Sequence, residues 1–219
     1  MIIKRTNKEM RQLRKKNNAI VDDYLEEILA EIIYAVNHYA EQKSPSKFWD
    51  AELQKMLNQF YNCFTDIYAS TSKELKNIFK DVENFQVKNI KDLTFKEDGK
   101  ELDDRVTDYW NQAEENLNIK EVDNQAVKVW LYNKLANILE TDAKVVEEQV
   151  KKNKKPIITP DQYLIAEVGD CNCPQCGTYP ADDYPLPPFH PKCPAMVWFT
   201  ITDDPDDIND LDLEEEDME

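Results

Sequence analysis

Residues 170–193 read DCNCPQCGTYPADDYPLPPFHPKC, and how this stretch is read decides what holds the carboxyl-terminal part of the chain together. Cys173 and Cys176 stand as CxxC, thirteen residues follow, and His190 and Cys193 stand as HxxC. A CxxC turn brings two thiolates to one tetrahedral ion while its backbone N–H groups donate to the sulfurs. Pro174 stiffens that turn, and Gly177 can take the positive φ expected after it. Three thiolates and an imidazole fill four positions and leave none for a catalytic water, which is the pattern of structural zinc. Cys171 offers a further thiol, so that either Cys171 or Cys173 can serve beside Cys176. Two other readings stay open. One is a disulfide; the other is a cysteine–His190 nucleophile pair, which needs a lowered thiol pKa and an orienting partner that the sequence does not display.

The flanks of this stretch are sparse. QYLIAEV (162–168) and AMVWFTI (195–201) read as two strands, and most of the prolines lie between 174 and 194, where helical periodicity stops. Two strands around a proline-rich loop bury little apolar surface. A structural zinc supplies on the order of 10 kcal/mol, against about 2–4 kcal/mol for a disulfide, so the metal decides whether such a module folds.

Before it the chain reads as helices. Tyr24, Leu25, Ile28, Leu29, Ile32, Val36 and Tyr39 recur every three or four positions, with Asp22, Asp23, Glu26, Glu27 and Glu31 on the other side. Ser44 and Pro45 open a second helix with Trp49, Leu53, Met56, Leu57, Phe60, Phe64 and Ile67 inward. Thr71 and Glu74 have capping-box spacing for a third, running to about Ile90. KEDGKE (96–101) reads as a turn before a fourth, with Leu102, Val106, Tyr109, Trp110, Ala113 and Leu117. Asp123 caps a fifth and Thr141 a shorter sixth. Aromatics at this spacing read as core rather than a ligand pocket, and Cys63 and His38 as structural.

The expected fold is therefore mainly α with a small β zinc module. An elongated helical body (1–155) precedes a zinc-stapled two-stranded module (156–202) and an acidic tail (203–219). Three glycines in 219 residues disfavour a glycine-rich sandwich or a nucleotide-binding α/β fold. The net charge of −17 is uneven: eleven acidic residues lie from Asp203 onward, leaving about −6 for the rest. Basic residues gather at Lys4–Lys16 and in KKNKK (151–155), which read as solvated faces or a linker ahead of a phosphate-binding patch. The amino-terminal sequence has no apolar stretch behind its basic residues, and no apolar run spans a bilayer, so a soluble chain in a reducing cytoplasm is expected. Asp182 and Asp183 read as surface loop, and no phosphate-loop, HExxH or GxSxG motif occurs.

The CPxC turn, the acidic proline-rich loop and the PPxHPxC run resemble the carboxyl-terminal motif of phage head-morphogenesis proteins, the Mu-F-like minor capsid family. Cys173, Cys176, Pro187, Pro188, His190, Pro191 and Cys193 fall on its positions. Members continue with Arg-Cys where this chain has Pro194 and Ala195, and Cys171 stands as the substitute for the missing cysteine. The resemblance implies a non-enzymatic minor head protein of the virion, assembled in the host cytoplasm. It would be associated with the portal or major capsid protein in a large oligomeric assembly, aiding head assembly or DNA delivery with contact to packaged DNA. The alternative from the residues alone is a zinc-ribbon-like nucleic-acid-binding or regulatory protein. Asp170, Asp182 and Asp183 against Lys192 alone oppose it.

Overall fold

The computed structural model describes residues 2–94, 99–119, 123–189 and 193–204. In chain order the elements are β1 (Ile2–Arg5), α1 (Asn7–His38), α2 (Pro45–Ile78), α3 (Leu102–Leu117), α4 (Asn124–Asn153), β2 (Tyr163–Gly169), β3 (Gly177–Pro180) and β4 (Met196–Thr202), with 3-10 turns at Tyr39–Glu41 and Ile90–Leu93. The protein is mainly helical, with a small antiparallel sheet.

Among the described residues four long helices stand where six are expected. α2 runs through the Thr71 position because Phe60, Phe64, Ile67, Thr71 and Leu75 keep one buried face at helical spacing. Thr71 does not cap; its hydroxyl accepts from the Asn17 side chain at 3.0 Å, which satisfies a polar group inside the helix pair. The helix stops at Ile78, well short of Ile90. α4 likewise passes Thr141, since Ile138, Leu139, Asp142, Val146 and Val150 continue the buried stripe, with Asp142 paired to Arg105 of α3 at 2.6 Å. Asp123 caps α4 as expected, accepting from the Gln125 N–H at 2.9 Å. α2 and α3 are clasped by Trp49 and Trp110, whose rings stack at 4.5 Å while each indole N–H donates to the other's backbone carbonyl at 3.0 Å.

The sheet has four strands in the order β1-β4-β2-β3, not two. The expected pair, β2 and β4, forms its centre, with Tyr163 opposite Thr202 and Gly169 opposite Met196. β3 follows the CxxC turn and returns along β2, with Val168 opposite Gly177. The fourth strand comes from the opposite end of the sequence: β1 pairs with β4, Arg5 opposite Thr200. A run as short as IIKR carries too few residues for a period-two pattern to stand out, so its pairing is set by the partner rather than by its own sequence. β4 is buried along nearly all its length, and its Val197 and Phe199 belong to the same buried cluster as the helices. The Phe199 ring packs edge-on against Phe79 and Tyr184, with centroids 6.2 and 6.4 Å away.

Candidate metal centre

The site begins where β2 ends. Gly169 lies under the Trp198 indole so closely that a side-chain carbon there would sit 2.3 Å from the ring. The turn that follows is made by Asp170 at φ 66, a conformation aspartate tolerates better than most residues. The expected positive φ at Gly177 is not found: that residue starts β3, and the chain reverses earlier, at Asp170. Arg11 of α1 grips the Asp170 carboxylate through Nη2 at 2.7 Å and Nε at 3.2 Å. The turn is thus held from outside the hairpin, by the helix after β1.

From this turn the backbone presents the sulfurs. The Cys173 N–H donates to Cys171 Sγ at 3.3 Å, and the Cys176 N–H closes the CxxC turn on the Cys173 carbonyl at 3.0 Å. Tyr179 Oη donates to the Gln175 carbonyl at 2.8 Å and ties β3 back to the turn. Cys193, fully buried just ahead of β4, brings its sulfur to 3.7 Å from that of Cys173. Cys171, Cys173 and Cys193 place their sulfurs within 4.8 Å of one another and can hold a metal ion. Two sulfurs bound tetrahedrally to zinc at about 2.3 Å lie roughly 3.8 Å apart, so the Cys173–Cys193 separation is that of a zinc tetrahedron's edge. It is also far beyond the S–S bond length of about 2 Å, and none of the five cysteines, all among the described residues, forms a disulfide.

Of the expected ligands, the structure brings Cys173 and Cys193 together, and with them Cys171, the expected alternative to Cys173. Cys176 contacts Cys171 through its side chain without joining the mutually close three. His190 lies outside the described residues. Burial raises the thiol pKa of Cys171, and also that of Cys176, where the Cys171 sulfur adds to it. At Cys173 the Cys171 contact works the other way, but desolvation and Cys193 leave the thiol raised as well. Converging sulfurs that resist ionisation on their own accept a soft cation, whose charge makes them thiolates. The three residues Asp170, Cys171 and Cys173, with Pro174, Phe189 and Pro194, line a cleft of about 880 Å³.

Cys63 is far removed in kind: fully buried among apolar residues of α2, its thiol pushed up to about 12 by burial. His38 sits on α1 with its ring 4.4 Å from Tyr34, a local contact. Asp182 pairs with Lys155.

An ionic cluster that no sequence motif announces lies in the interior. Arg14 donates to Glu147 at 2.9 Å and to Glu148 at 2.5 Å; Lys151, fully buried, meets the same two carboxylates at 2.7 and 2.9 Å. Asn17 adds a bond to Glu147 at 2.8 Å. Burial works against ionising Glu147, but Arg14 and Lys151 outweigh it and hold its pKa at about 2; at Glu148 burial prevails and the pKa is raised. The signal available beforehand was the spacing of Glu147 and Glu148 to Lys151, one turn along α4 and on the stripe of Val146 and Val150. The basic clusters are largely spent in this way. Arg5 pairs with Glu167, Arg11 with Asp170 and Lys16 with Glu74, while Lys152 donates to the Tyr184 carbonyl.

No helix among the described residues is long and apolar enough to cross a membrane. Comparison of the chain with protein-family models, with curated proteins and with solved structures gives no match.

Proposed function

We propose that this protein is a minor structural component of a phage head, in which a zinc ion staples the segment after α4 into a rigid docking unit. The observation that carries the reading is the meeting of Cys171 and Cys173 with Cys193, twenty residues further on, across a loop with the PPxHPxC pattern. The ion would be zinc, because a thiolate-rich tetrahedral set selects it over harder cations. With Cys176, whose side chain contacts Cys171, as a further donor, the set could be closed with no position for a catalytic water. The role is structural, not catalytic.

The surface so fixed would face the portal or the major capsid protein within the virion, with the residues beyond Asp204 carrying a dense negative charge that packaged DNA would repel. The alternative, a nucleic-acid binder, needs free cations, and most residues of both basic clusters are engaged by carboxylates or carbonyls of this chain. Mass spectrometry of heads purified from the phage that encodes this chain tests the proposal: the protein is expected among the minor head components. Its absence from the heads, together with salt-sensitive DNA binding by the full chain, would establish the alternative instead.

A further inference from the structure

The four cysteines around the CxxC turn fall into two touching pairs. Cys173 and Cys193 bring their sulfurs to 3.7 Å. Cys171 and Cys176 meet through their side chains, while Cys176 stands outside the three sulfurs that lie within 4.8 Å of one another. Cys171 also touches Cys173. A bond between those two, however, would leave Cys176 to reach Cys193 from outside the close group. The pairing that uses all four sulfurs through contacts already made is therefore 173 with 193 and 171 with 176.

The contacts are close enough for chemistry and open enough for a reagent. Cys171, Cys173 and Cys176 are each partly exposed, and only their partner Cys193 is buried. Cys171 and Cys173 line the cleft of about 880 Å³, which admits a solute as small as a peroxide without unfolding. Closing the Cys173–Cys193 gap to the S–S bond length of about 2 Å asks for a movement of under about 2 Å. The Cys173 sulfur attacks one peroxide oxygen and the O–O bond breaks, giving a sulfenic acid and one water. The Cys193 sulfur then attacks the Cys173 sulfur, forms the S–S bond and displaces the second water. Each disulfide thus consumes one peroxide: two sulfurs lose two electrons between them, and both thiol protons leave in water.

We propose that this cluster is also a site of oxidative cross-linking, where a peroxide converts the four cysteines into two disulfides, 173–193 and 171–176, and a covalent staple replaces the ion. The inference deepens the reading of the segment after α4 as a stapled docking unit, and rests on it. Thiols stay reduced in a cytoplasm, whereas disulfides persist outside cells. A head component that leaves its host exchanges one staple for the other, and the end of β2 stays tied to the start of β4.

The test uses the full chain, reduced and freshly purified, with its metal content measured before hydrogen peroxide is added. The oxidised protein is digested without reduction, and the bonds are placed by fragmentation in the mass spectrometer. Disulfides 173–193 and 171–176 are expected as the main products, with the metal released. The near-UV signal of Trp198, lost on chelation of the reduced chain, is expected to survive chelation after oxidation. Cys176→Ser is expected to form the 173–193 bond still, with Cys171 left open to alkylation. The proposal is overturned if the main bond joins Cys171 to Cys173 or Cys173 to Cys176, if the sulfurs pass to sulfinic and sulfonic acids instead, or if the oxidised chain loses the Trp198 signal. Should Cys176→Ser misfold, the bond map of the unaltered chain decides. A reduced chain without metal counts against the ionic staple alone, because the bond map read on the same sample still upholds or overturns the cross-link.

Discussion

Thr6 and Phe199, 193 residues apart, are joined by three hydrogen bonds: Thr6 Oγ1 donates to the Phe199 carbonyl at 2.9 Å, the Phe199 N–H donates back to Oγ1 at 2.9 Å, and the Thr6 N–H reaches the same carbonyl at 3.1 Å. Both residues are fully buried. This threonine seats the start of α1 on the central strand of the sheet, and so ties the amino-terminal residues to the segment that bears the cysteines.

Thr6→Val keeps the shape and removes the hydroxyl, leaving the Phe199 N–H buried without its acceptor. The expected loss is about 1–3 kcal/mol in urea unfolding, with the metal still bound in the native state. An unchanged midpoint would show that the seam between the two ends of the chain is not formed as described.

Arg14→Met strips one cation from the interior cluster and leaves Glu147 and Glu148 sharing Lys151 alone. Breaking a buried ion pair from one side costs about 3–5 kcal/mol, so this substitution should be among the most destabilising single changes in the helical part. Chemical denaturation measures it; a loss below about 1 kcal/mol, the scale of an exposed pair, would mean that the cluster is solvated.

Glu31 of α1 and Glu52 of α2 face each other across the first helix pair. Burial, together with the hydrogen bond to Glu52, pushes Glu31 up from 4.5 to about 7, against the opposing pull of Lys55. A group whose pKa is higher in the folded state binds its proton more tightly there. Its contribution to stability is therefore full below about 4.5, and it is lost as pH rises through about 7. Glu31→Gln, whose amide stays uncharged, is expected to flatten this part of the stability–pH curve. A wild-type and variant pair with the same slope between these values would remove Glu31 as the cause.

The cysteines divide into two chemical populations. Cys63→Ala is expected to leave metal content unchanged, whereas Cys173→Ser and Cys193→Ser each remove sulfurs that stand at tetrahedral-edge distance and should release the ion. Loss of near-UV signal from Trp198, which packs on Gly169 beside the turn, should accompany release in both serine variants. Metal retained by Cys193→Ser would rule out the cluster as the binding site.

The helical faces were legible because Trp49, Met56, Phe60 and Phe64, like Val106 and Trp110, repeat with the helical period and need only one partner surface. Breaks inside helices were not. Thr71 and Thr141 carry local cap signals, which tertiary partners such as Asn17 override. β2 and β4 could be read from their apolar runs, but β1 and β3 are four residues each and owe their structure to pairing with strands distant in sequence or across a turn. At the candidate metal centre, the sequence pattern pointed to Cys173 and Cys193 as thiols able to share an ion, and the structure brings their sulfurs together. The CNC run offered Cys171 as the alternative to Cys173; that both stand near Cys193 goes with the left-handed turn at Asp170 and with Arg11 holding it, a contact spanning 159 residues that no local pattern encodes.

The most direct test is elemental analysis of the reduced, freshly purified full chain, with thiols titrated before and after chelation. About one zinc ion per chain is expected, with the cluster thiols protected until the chelator is added and the carboxyl-terminal fold lost with the metal. A metal-free protein whose Trp198 environment and sheet are nonetheless intact would contradict the account.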